Sequence, residues 1–123
     1  MKIATLMEKP LMTIEENASV QAAAELMGKK RIGSLIVTKD QAKVGIITER
    51  DIMSKVIAEK RDLETVKVKD IMSTPIVTVS KDMEGEAVLK IMAENGVRKV
   101  LVTEKTGIVG IFSTSDITKL AIN

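Results

Sequence analysis

The feature that most constrains this chain is an internal duplication. Slid against itself by about 65 residues, the sequence aligns without a gap, with about 14 identities in about 58 aligned positions. Pro10 falls on Pro75, Thr13 on Thr78, Ala22 on Ala87 and Met27 on Met92. Val37-Thr38 falls on Val102-Thr103, Val44-Gly45-Ile46 on Val109-Gly110-Ile111, and Asp51-Ile52 on Asp116-Ile117. Half of a 123-residue chain is too small to bury much core alone. The two copies are therefore expected to pack on each other about a pseudo-twofold axis. The first repeat spans 1–60 and the second 68–123, with a linker at 61–67. The charged run Glu59 to Thr65 marks the junction as solvent-facing.

Each copy reads as the same series of elements. Pro10 to Ile14 and Pro75 to Val79 are short apolar segments that begin at a proline, as an extended strand would. A helix follows, with Val20, Ala23, Ala24 and Met27 at helical spacing in one copy. Met83, Ala87, Val88, Ile91 and Met92 do the same in the other. Asn17 and Asp82 suit the N-cap, and Asn95-Gly96 suits the stop. Two strands come next, Leu35 to Thr38 with Val44 to Ile47, and Val100 to Thr103 with Ile108 to Phe112. Lys39 to Ala42 and Glu104 to Gly107 fit hairpin turns. A last helix starts at Thr48 or Ser113. The expected fold is α/β (α+β), a β-α-β-β-α order repeated in tandem.

Composition removes several functions. Cysteine and histidine are both absent. Disulfides, thiolate and imidazole chemistry and the usual zinc ligands go with them. Asp, Glu, Lys and Ser remain, but no nucleophile–base pair is visible, so the chain reads as not an enzyme, requiring no cofactor or metal. Phe112 is the sole aromatic residue, which argues against base stacking on nucleic acid. The net charge of +2, from 19 basic and 17 acidic residues, argues the same way. Met27, Met53, Met72, Met83 and Met92 are read as core. No apolar run is long enough to span a bilayer, and residues 1–8 lack the apolar segment of a signal peptide. The expected location is cytoplasmic.

The junctions between the hairpin and the last helix carry the chemistry. They read Gly45-Ile46-Ile47-Thr48-Glu49-Arg50-Asp51 and Gly110-Ile111-Phe112-Ser113-Thr114-Ser115-Asp116, both G-x-x-[ST]-x-x-D. Free N–H groups and the positive end of a helix dipole meet there, which favours phosphate. Thr48, Ser113 and Ser115 add hydroxyl donors, and Arg50 adds a charge. Asp51 and Asp116, one turn in, cannot favour phosphate but can accept both hydroxyls of a ribose. The same pattern is close to a capping box that a helix needs with no ligand at all. Two copies in one context favour the ligand reading. Arg50 also fits a solvated helix face, and Arg98-Lys99 fits either a solvated strand edge or a phosphate-facing patch.

The tandem pattern resembles a stand-alone CBS-domain pair, or Bateman module, along essentially the whole chain. The resemblance is carried by the two junctions, by Val68-Lys69-Asp70-Ile71-Met72-Ser73-Thr74-Pro75, and by Gly96-Val97-Arg98-Lys99-Val100-Leu101-Val102. It implies two clefts that bind AMP, ADP, ATP or S-adenosylmethionine for sensing and regulation. It assigns ribose to Asp51 and Asp116, and phosphate to Thr48, Arg50, Ser113, Ser115, Arg98 and Lys99. Adenine in the Asp51 cleft would meet Ile46, Thr74, Pro75, Ile76, Val79 and Val97. In the Asp116 cleft it would meet Lys9, Pro10, Leu11, Ile14, Ile32 and Ile111. Gly33-Ser34 stands where the second copy has Arg98-Lys99, so the Asp51 cleft is expected to hold phosphate more tightly. The resemblance also implies a homodimer and a regulated partner protein. The alternatives are an S-adenosylmethionine-specific module and a nucleic-acid-binding CBS protein.

Overall fold

The computed structural model describes residues 1–8 and 11–114. A 3₁₀ turn (Ile3–Thr5) precedes β1 (Thr13–Glu15), α1 (Val20–Lys30), β2 (Ser34–Lys39), β3 (Ala42–Thr48) and α2 (Glu49–Ile52). A π-helical turn (Met53–Ile57) continues α2. The second series is α3 (Val68–Ile71), β4 (Thr78–Ser80), α4 (Gly85–Asn95), β5 (Lys99–Glu104) and β6 (Gly107–Ser113). The expected mixed architecture is present, in two sheets of three strands, β1-β2-β3 and β4-β5-β6. In each sheet a parallel pair spans a helix and an antiparallel hairpin follows, with a register shift at Val37/Thr38 and again at Val102/Thr103.

Helix starts differ from the sequence reading. α1 is capped by Ser19, whose hydroxyl accepts from Ala22 N at 3.0 Å, and α4 follows Glu84. Asn17 and Asp82 lie two residues earlier, in the turns that leave the strands. Arg31 ends α1 with φ 55°, and its aligned counterpart Gly96 ends α4 with φ 63°. Only the second copy puts there the residue that tolerates a left-handed backbone without cost.

The chain divides into two compact units, but not where the repeats divide. One unit is Met12–Ile76, and the other joins Met1–Leu11 to the chain from Val77 onward. The segment that leads into each repeat packs on the opposite copy. Val20 N donates to Val66 O and Val68 N to Ala18 O, at 2.9 Å each. Val66, Val68 and Ile71 then join a core with Val20, Met27, Leu35, Val37, Ile47 and Val56. The second unit repeats this: Ile3 N donates to Met83 O at 2.8 Å, and Ile3 and Leu6 join Val79, Val88, Met92, Val100, Val102 and Phe112. Full burial of one such side chain is worth about 1.5–3 kcal/mol.

Met27 and Met92 are core residues, and Met72 and Met83 pack against the cores. Met53 is a correction: its side chain is 59% exposed. It projects from the π turn instead of joining the stripe that Ile52 and Val56 bury.

Candidate functional site

The junction after β3 is built by the residues singled out in the sequence. Thr48 ends β3 with extended backbone, and α2 starts at Glu49. Asp51 N donates to Thr48 Oγ1, and Thr48 N donates to Asp51 Oδ2, both at 3.0 Å. The capping-box reading is therefore correct for this copy, and each member satisfies a backbone donor that the helix start would otherwise leave open. Thr48 and Asp51 are buried, each at 8% exposure. Asp51 Oδ1 lies 3.1 Å from Lys55 Nζ, which also donates to Ile71 O at 2.9 Å. Capping leaves capacity for ligand, since each carboxylate oxygen has two lone pairs and only one of each is used.

The glycine that opens the motif has a packing reason. A Cβ on Gly45 would lie 2.7 Å from Met72 Sδ and 3.0 Å from Ser73 O. Without it, the strand is close enough for Ile46 and Ser73 to exchange hydrogen bonds, 2.8 Å from Ser73 N and 3.2 Å from Ile46 N. Gly110 is crowded by Met7 in the same manner, and Ile111 exchanges hydrogen bonds with Glu8 at 3.2 and 2.7 Å. The lead segments are thus laid along the strands that carry the junctions. They bring Thr74, Pro75 and Ile76 into the unit that holds Asp51. Thr74 and Pro75 are exposed and joined by a cis peptide bond, and Ile76 is half-buried.

Ile46 is buried, Arg50 is exposed, and Ile14 and Ile32 are half-buried, all in the first unit. In the second unit Val79, Ile111 and Ser113 are buried, Leu11, Val97 and Lys99 are half-buried, and Arg98 is exposed. Val79 is a member of that unit's core. Lys9, Pro10, Ser115 and Asp116 lie outside the described residues. Lys55 escaped the sequence reading. Its spacing of four from Asp51 on a helix was a usable signal, because i and i+4 side chains meet on one face.

A groove of about 500 Å³ opens on the first unit between α1 and the α2–π segment. Ala24, Met27, Gly28, Ile32, Ile52, Met53 and Ile57 line it, with Arg31 and Glu49. Met53 and Ile57 are 59% and 49% exposed there. No helix among the described residues is long and apolar enough to cross a membrane.

The sequence profile of the CBS domain matches residues 3–58 and again 68–123. The chain belongs to the CBS-domain family. The two matches coincide with the two copies found by self-alignment, so this is a tandem CBS pair. An uncharacterized protein of Methanopyrus kandleri is 35% identical over 102 residues, which is 79% of this CBS pair and 52% of that protein. The chain thus spans about half the length of this curated relative. The crystal structure of an uncharacterized conserved protein from Pyrococcus horikoshii superposes with a TM-score of 0.79 at 32% identity, over 99% of this chain and 92% of that one. The CBS domain pair of protein MJ0100, crystallised with 5′-methylthioadenosine and S-adenosyl-L-methionine, gives 0.76 at 27% identity, over 98% and 95%.

Proposed function

We propose that this CBS pair is a non-catalytic regulatory module that binds an adenosyl ligand, AMP, ADP, ATP or S-adenosylmethionine, with the ribose on Asp51. The observation that carries the reading is the buried Asp51 carboxylate, held by Thr48 N and Lys55 with a lone pair left on each oxygen. A vicinal diol supplies the two donors that those lone pairs accept. Arg50, exposed beside it, takes phosphate when the ligand has one. Thr74, Pro75 and Ile76 with Ile46 offer backbone and aliphatic surface for the adenine. The complex of MJ0100 supports an adenosyl ligand for a chain built this way. Asp116 is the matching group of a second site. Regulation follows if the ligand prefers one of two conformations or partner states.

Mass spectrometry of small molecules released from natively purified protein tests the ligand class. One of the four adenosyl compounds is expected in molar proportion to protein. A different class of compound, or none after incubation with all four, would sink the reading.

The apolar groove supports a homodimer. It is lined mainly by aliphatic and Met side chains, with two charged residues, a composition suited to a protein surface and poorly suited to a polar nucleotide. In our reading a second copy covers it, in an isologous contact. Met53→Lys, which places a charge on the most exposed of these side chains, should convert dimer to monomer in light scattering. An unsubstituted protein that is already monomeric at every concentration contradicts this.

A further inference from the structure

Lys55 has a role that neither the motif nor the family match assigns. It lies four residues after Asp51, a spacing at which helical geometry brings two side chains onto one face, while Ser54, three residues on, turns its hydroxyl to Arg50 O. Ala58 N donates to Met53 O at 2.9 Å, a five-residue step that widens the helix around Lys55. One ammonium hydrogen goes to Asp51 Oδ1 at 3.1 Å and another to Ile71 O at 2.9 Å. The Ile71 carbonyl ends α3. Two residues further on, Ser73 exchanges hydrogen bonds with Ile46. The Lys55 ammonium therefore ties the carboxylate to the backbone that leads into Thr74, Pro75 and Ile76. With Thr48 N on Oδ2 and Lys55 on Oδ1, the carboxylate is held at both oxygens, which favours one orientation about its own axis. The residue aligned with Lys55 in the second copy is Leu120, which has no donor.

We propose that Lys55 is a positioning residue for ribose recognition at Asp51. The proposal rests on the reading of Asp51 as the ribose acceptor. Both lone pairs must point outward together to accept a diol. Lys55 holds that orientation and fixes its distance from the adenine-facing backbone. The side chain is 45% exposed and its aliphatic stem is replaceable, so Lys55→Met should fold.

The test is calorimetric titration of adenosine and 2′-deoxyadenosine in an Asp116→Ala background, which leaves the Asp51 site. Lys55→Met should weaken adenosine about tenfold and 2′-deoxyadenosine less, because only the diol uses both oxygens of the carboxylate at once and so depends on its orientation. Lys55→Arg, which keeps a cation, should retain most of the discrimination. Equal losses for both nucleosides, or none, overturn the role of Lys55 while leaving Asp51 in place. Failure of the Asp116→Ala protein with native Lys55 to bind adenosine overturns both readings together.

Discussion

Ile71→Ala is expected to destabilise the first unit, and Leu6→Ala the second, by about 2–5 kcal/mol each, the range for a buried aliphatic side chain cut to alanine. Both residues are about 1% exposed and sit in lead segments that pack on the opposite copy. The location of the damage is the informative part. Hydrogen exchange should show Leu6→Ala loosening β4, β5 and β6, although residue 6 belongs to the first repeat in sequence. Ile71→Ala should loosen β1, β2 and β3. Loss of protection in the repeat that contains the substitution, with the other unaffected, would contradict the exchanged packing.

Asp51→Ala should lose adenosyl ligand at its site and about 1–3 kcal/mol of stability, because Thr48 N is left buried without its acceptor. Asp51→Asn separates these two effects. Its amide oxygen can still accept from Thr48 N, so most of the stability should return. It cannot present two outward acceptors to a diol, so binding should remain at least about tenfold weaker, equivalent to about 1.4 kcal/mol. Denaturant unfolding and calorimetry on the same three proteins distinguish them. A Asp51→Asn protein that binds as well as the parent would reduce Asp51 to a helix cap.

Much of the fold was legible because the duplication doubles each signal. Apolar spacing located α1, α4 and the hairpin strands, and Gly96 marked the end of α4. The caps at Ser19 and Glu84 were missed because Asn17 and Asp82 are equally good cap types two residues earlier, and only the turn geometry decides between them. The resemblance set Thr74, Pro75 and Ile76 at Asp51, but the core residues that this exchange of lead segments buries were not legible. Ile3, Leu6, Val68 and Ile71 are too few and too local to show which core they complete. Gly45 and Gly110 look like ordinary strand glycines until Met72 and Met7 are placed over them.

The site was partly legible for the same reason. The repeated G-x-x-[ST]-x-x-D named Thr48 and Asp51, and the structure joins them in a reciprocal pair. What the pattern conceals is that capping and ligand binding use different lone pairs of one carboxylate, so neither reading excludes the other. Lys55 was overlooked because the second copy has Leu120 there, and attention to identities between copies hides what differs.

The central claim is that a ribose diol is read by the junction carboxylate, and comparison of AMP with 2′-deoxy-AMP by calorimetry tests it most directly. Removal of one hydroxyl takes away one hydrogen bond to a charged acceptor and leaves its second lone pair unfilled, which costs about 1–3 kcal/mol, so the deoxynucleotide should bind roughly 5- to 150-fold more weakly. Equal affinity for the two nucleotides would contradict the account.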